Sequence, residues 1–137
     1  MNYCLGFLTD ASGTQVLLME KRRPSWQAGR LNGIGGKVEE GEDALGAMRR
    51  ECQEETGLEV LEWSPMGAIS FEGGQVHVFH AQADLSLAQS TTDEPVRSVT
   101  LADVIQGRYP LVDDVQTILT KVQALVLEPR LARQPRP

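Results

Sequence analysis

The sequence predicts an α/β domain in which a mixed β-sheet packs between helices, and three observations predict it. Two apolar runs joined by a short polar turn open the chain as a hairpin. A glycine-rich stretch then leads into an amphipathic helix, and strand-like segments precede a second amphipathic helix. With 137 residues, 41% of them hydrophobic, one domain can bury a core. That order of elements suits layers of helix, sheet and helix.

The hairpin strands are residues 2–9 and 15–20, linked by Asp10-Ala11-Ser12-Gly13-Thr14. Pro24 cannot continue a ladder, so the second strand ends at the basic run Lys21-Arg22-Arg23. Five glycines (29, 33, 35, 36 and 41) make the stretch from Pro24 to Gly41 read as a loop. Asp43 is the expected N-cap of a helix over 44–56. Leu45, Met48 and Cys52 form its apolar stripe, and Gly57 closes it. Strands are expected at 59–63, 67–71, 75–83 and 96–100. Val115, Ile118, Leu119, Val122, Leu125 and Val126 mark a second helix over 114–127. The domain spans residues 1–128. Residues 129–137 carry three arginines, three prolines and no acid, so they read as a loose basic tail.

Composition narrows the function classes. A net charge of -6 argues against a nucleic-acid binder that relies on a basic face. No apolar run approaches the roughly 20 residues of a membrane span, and residues 1–5 do not read as a secretion signal. Two cysteines, Cys4 and Cys52, make no disulfide framework and no zinc-type spacing, so both read as reduced thiols of a cytoplasmic protein. His77 and His80 fall on opposite faces of a strand and read as structural.

Seven acids fall between Glu39 and Glu55. Glu51, Glu54 and Glu55 stand at i, i+3, i+4, which puts three carboxylates on one helical face. Like charges at that spacing repel. A solvated acidic face is one explanation. The other is a divalent-cation site, since Mg2+ or Mn2+ takes oxygen ligands of this kind and the preceding glycines let backbone approach closely. Arg50 can pair with a neighbouring carboxylate such as Glu42.

The segment from Gly36 to Leu58 resembles the Nudix box. Gly36, Glu42, Arg50, Glu51, Glu54, Glu55 and Gly57 stand at its fixed positions, with apolar Cys52 and Leu58. The resemblance implies a Nudix α/β/α sandwich and metal-dependent hydrolysis of a nucleoside diphosphate linked to another group, with Mg2+ as cofactor and Mn2+ as the alternative. It implies that Glu51, Glu54 and Glu55 are metal ligands, that Glu51 accepts a proton from the attacking water, and that Gly35 lends its carbonyl. Arg50 and Glu42 would be the orienting pair.

The segment Gly29-Arg30-Leu31-Asn32-Gly33-Ile34-Gly35-Gly36-Lys37-Val38 is similar to that of the Nudix enzymes that clear oxidised purine triphosphates such as 8-oxo-dGTP. It implies a base contact for Asn32, which also reads as a turn residue, and substrate contacts for Arg22 and Lys37. Leu31 replaces that subgroup's tryptophan, and Pro24-Ser25-Trp26-Gln27 departs from its aromatic loop. Thr92-Asp93-Glu94 resembles the loop that carries an additional metal-reaching carboxylate, so Glu94 is a candidate; an exposed loop acid is the other reading. Val112-Asp113-Asp114 resembles the aspartate pair that reads the purine edge. Asp113 with Gln116 also matches a capping box, which leaves Asp114 as the reader. The expectation is a nucleoside triphosphate pyrophosphohydrolase with a small nucleotide substrate, acting as a monomer or homodimer. ADP-ribose, dinucleoside polyphosphates and nucleotide sugars are alternative substrates. A non-catalytic Nudix module is disfavoured because no box carboxylate is lost.

Overall fold

The computed structural model describes residues 1–132, and side chains through Leu127. Strand β1 (Asn2–Thr9) is the axis of the molecule. It runs parallel to β6 (Gly74–Gln82) over its whole length, from Asn2 opposite Gln75 to Thr9 opposite Gln82. On its other side it pairs antiparallel with β4 (Ile34–Lys37) along its first half and with β2 (Gln15–Glu20) near its end. Strand β2 also pairs with β3 (Leu31–Asn32) and β7 (Val96–Thr100), and β5 (Ser64–Phe71) closes the far edge against β6. The sheet is mixed, as expected.

Helices cover both faces, which explains why β1 reads as a nearly continuous apolar run. Helix α1 (Ala44–Thr56) packs Ala47, Met48 and Cys52 onto Cys4, Leu8, Leu17, Met19, Ile34 and Phe79. On the other face α2 (Leu101–Ile105) and α3 (Val115–Ala132) pack onto Phe7, Val16, Leu18, Leu31 and Val78. The caps of α1 are those expected. Asp43 accepts from the Gly46 N–H, and Gly57, at φ 76°, donates to the Gln53 carbonyl.

Three expectations need correction, and one helix was not expected. The glycine stretch is not all loop, because β3 and β4 lie inside it. Its glycines serve close approach: a Cβ on Gly35 would stand 2.0 Å from the Cys4 carbonyl oxygen, and one on Gly36 2.6 Å from a Glu51 carboxylate oxygen. Residues 59–63 form no strand. Val60 and Trp63 pack against the α1 layer, the Trp63 indole N–H donates to the Val60 carbonyl, and the sheet edge begins only at Ser64. Helix α2 carries too few residues to show a period. Lastly, α3 starts one residue later than expected and runs through Pro129 to Ala132. Proline removes one hydrogen bond from a helix without ending it here. The rest of the expected tail, 133–137, lies outside the described residues.

Candidate active site

Helix α1 and strand β4 carry the acids and their partners. Arg50 is the hub. Its Nε and Nη2 grip the Glu42 carboxylate at 2.8 and 2.9 Å, Nη1 reaches Glu51 at 3.0 Å and Glu54 at 3.2 Å, and Nη2 also donates to the Lys37 carbonyl. One guanidinium thus ties the loop before the helix, two helix carboxylates and the end of β4. Glu54 is largely solvent-exposed, whereas Glu51 is mostly covered. Burial pushes the Glu51 carboxyl up, against the pull of Arg50.

Glu55 points toward β4 and accepts the Gly35 N–H at 2.8 Å. Burial first and the nearby Glu51 second push its carboxyl up to about 7, although Gly35 and Lys21 act the other way. Such a value is the mark of a carboxyl taken out of water beside other acids. Among the described residues no three acids, histidines or cysteines already converge into a finished cation cage. Glu51 and Glu54 bond to Arg50, and Glu55 to a backbone amide. The donor set is all oxygen and electron-rich, and the Glu55 carboxylate feels those of Glu51 and Glu94. Those residues fit a divalent cation of the Mg2+ or Mn2+ type.

Glu94 is buried, unlike an ordinary loop acid. Burial opposes its ionisation, but the Arg22 and Arg23 backbone N–H groups and the Lys21 ammonium outweigh it and hold the carboxyl low. Lys21 is the site residue that the sequence reading missed. It stands 3.1 Å from Glu94, and its charge reaches Glu55. Its signal was its place at the inner end of β2, beside the two arginines. The Arg22 side chain donates through Nε to the Asp93 carbonyl, and Lys37 is exposed.

The base-reading candidates are less well tied. Asn32 is half-buried; its Oδ1 accepts from Gly33 N–H at 2.8 Å and its amide approaches Gln27 at 3.4 Å. The Asp113–Gln116 capping box is not formed. Asp113 is exposed and 3.8 Å from Arg30, while the Gln116 amide donates to the Ile105 carbonyl. Asp114 instead sits at the helix start with φ 72°, a conformation that aspartate tolerates, and its carbonyl accepts the Ile118 N–H. It lines a cleft of about 220 Å³ with Met66, Ile69, Val78, Ile118 and Lys121. A roomier cleft of about 690 Å³, with Leu45, Arg49, Trp63 and His80 in its wall, lies roughly half a turn round α1 from the carboxylates. His80 is buried there and bonded to Thr9 at 2.8 Å.

The architecture is that of a Nudix-fold domain. A MutT structure described from Aliivibrio salmonicida and Vibrio cholerae superposes with a TM-score of 0.77 at 22% identity, covering 90% of this chain and 97% of that one. The NUDIX domain of Shewanella oneidensis NrtR, solved with ADP ribose, superposes at 0.74 with 20% identity over 96% of this chain and 88% of that one. At those identities the likeness speaks for the fold. The NUDIX domain family model matches residues 4–122, and the chain belongs to that family. The oxidized purine nucleoside triphosphate hydrolase of Mus musculus is 47% identical over 73 residues, 49% of this chain and 46% of the relative. The chain therefore matches less than half the length of that curated relative.

Proposed function

We propose that this chain is a Mg2+-dependent nucleoside triphosphate pyrophosphohydrolase that releases a nucleoside monophosphate and pyrophosphate and favours oxidised purine nucleotides such as 8-oxo-dGTP. The observation that carries this reading is the Glu55 carboxylate, bonded to the Gly35 amide, with Glu51, held by Arg50, and Glu94 both near enough to oppose its ionisation. Similarity to the mouse relative over half the chain supports the substrate class. When bound, a divalent cation supplies charge neutralisation for the phosphates and acidifies the attacking water.

The chain's own residues do the rest. Glu51 accepts the proton of that water, and Arg50 with Glu42 holds Glu51 in a fixed rotamer. Glu54, Glu55, Glu94 and the Gly35 carbonyl complete the oxygen donors. Lys21, Lys37 and the terminal nitrogens of Arg22 bring positive charge toward the phosphates. Asn32 and Asp114 contact the base, with Asp113 beside them. Both cysteines are free and buried, which fits a reducing compartment such as the cytoplasm. No helix among the described residues is long and apolar enough to cross a membrane. We take the working unit to be a monomer or homodimer that acts on small nucleotides alone.

The test is product release with Mg2+ across 8-oxo-dGTP, dGTP, dCTP and ADP-ribose. Pyrophosphate release fastest from 8-oxo-dGTP supports the reading. Hydrolysis of ADP-ribose alone would move the chain to another Nudix substrate class. No hydrolysis of any of the four would overturn the reading and leave dinucleoside polyphosphates, nucleotide sugars or a binding module.

A further inference from the structure

We propose that Asp93 is a positioning residue: the clasp that Arg22 and Arg23 form on it fixes the turn that presents Glu94. The inference rests on the proposed role of Glu94. Arg22 and Arg23 follow the end of β2, where a basic run invites assignment to phosphate binding. The structure turns several of their donors onto the neighbouring turn instead. The Arg23 guanidinium makes a two-pronged pair with the Asp93 carboxylate, at 3.0 and 2.5 Å, and Arg22 Nε donates to the Asp93 carbonyl. The same two residues give their backbone N–H groups to Glu94, at 2.7 and 3.2 Å.

Side chains of 22 and 23 thus bond residue 93, and their backbones bond residue 94, with the Arg23 guanidinium also 3.9 Å from the Glu94 carboxylate. The turn is also anchored at both ends. The Thr91 hydroxyl donates to the Glu54 carbonyl on α1, and Glu20 N–H donates to the Pro95 carbonyl. A buried carboxylate at the site is therefore presented by a polar clasp and not by apolar packing. Arg23 and Asp93 are both well exposed, so their pair adds little to global stability. It counts for more against local opening of a turn that has little apolar packing of its own.

Loss of the clasp should therefore show at Glu94 and leave the core unchanged. In Asp93→Ala without metal or nucleotide, amide hydrogen exchange at Arg22 and Arg23 should speed up about three- to tenfold, with β1 and β6 amides unchanged. With Mg2+ and 8-oxo-dGTP, kcat should fall about tenfold with KM nearly constant. That loss should vanish when Asp93→Ala is made in a Glu94→Gln background, because Asp93 acts only through Glu94. Arg23→Gln removes the other half of the pair and should repeat both results. Unchanged exchange at Arg22 and Arg23 in both variants, or kcat losses for 93 and 94 that simply multiply, would overturn the proposal. If Glu94→Gln alone keeps full turnover, the proposed role of Glu94 fails. The exchange data then still decide whether the clasp exists.

Discussion

The carboxylate end of the site and its base-reading end are built in opposite ways. At the carboxylate end every acid except the exposed Glu54 is mostly covered, and each acid has a named donor: Glu42, Glu51 and Glu54 on Arg50, Glu55 on Gly35, Glu94 on Lys21, Arg22 and Arg23. At the other end Asp113 is exposed beside a distant Arg30, Asn32 bonds its own neighbour, and Asp114 faces a small cleft. Chemistry needs charges fixed before substrate arrives, and fixed charges require a network. Selection needs open hydrogen-bonding groups that the base itself completes. Substitutions should therefore act through kcat at the first end and through discrimination between bases at the second.

The largest effects belong to the carboxylates. Glu55→Gln and Glu54→Gln should each lower kcat by roughly 10²–10⁴-fold at saturating Mg2+, read in a steady-state assay. Near wild-type turnover in either variant removes that residue from the donor set. Glu55→Gln also has a stability signature. The folded carboxyl is raised from 4.5 to about 7, so the folded state holds its proton longer than the unfolded chain does. The stability tied to that proton is present below pH 4.5 and is lost as pH rises through about 7. Metal-free Glu55→Gln should therefore melt higher than the wild type at pH 8, and the gap should close toward pH 5. A gap that widens toward low pH contradicts the crowding described above.

Arg50→Lys tests the network itself. Lysine keeps the charge but loses the planar fork that grips Glu42 while reaching Glu51 and Glu54. A kcat loss of roughly 10–100-fold, comparable to removal of an outer partner of a metal ligand, is expected, with KM little changed. Equal kcat in Arg50→Lys would mean that charge alone suffices.

Much of the carboxylate end was legible in the sequence, because its signals are short-range. A carboxylate triad at i, i+3, i+4, a cap at Asp43 and a closing Gly57 all lie within one helix. Partners supplied from distant chain positions were less legible. Lys21 meets Glu94 across 73 residues, and no local pattern announces that pairing. The glycines at 35 and 36 read as loop because their conformational freedom is visible in sequence, whereas the closeness of Cys4 and Glu51 is not. At the helix start the capping box matched in residue type, yet a positive φ at Asp114 shifted the cap by one residue. Tertiary placement decided each of these.

Base selection should respond to Asp114→Asn, which changes one acceptor in the cleft. It should cost roughly 1–3 kcal/mol of discrimination in kcat/KM between 8-oxo-dGTP and dCTP, with kcat on the better substrate affected less. Equal small effects on both nucleotides would mean that Asp114 does not read the base.

Asp113→Ala sharpens the comparison from the other side and should have the smallest effect. A side chain that capped α3 would cost about 1 kcal/mol on truncation. Here the Asp113 side chain is 86% exposed, the Arg30 guanidinium is 3.8 Å away, and the Gln116 amide is engaged with Ile105. An exposed pair at that distance adds little. Thermal or urea unfolding of Asp113→Ala should therefore stay within about 0.5 kcal/mol of the wild type. A loss near the full cap value would mean that Asp113 caps α3 in solution and that the Gln116–Ile105 bond does not persist. If stability holds but discrimination between 8-oxo-dGTP and dCTP drops, Asp113 joins Asp114 in contacting the base, and the open end of the site has two readers.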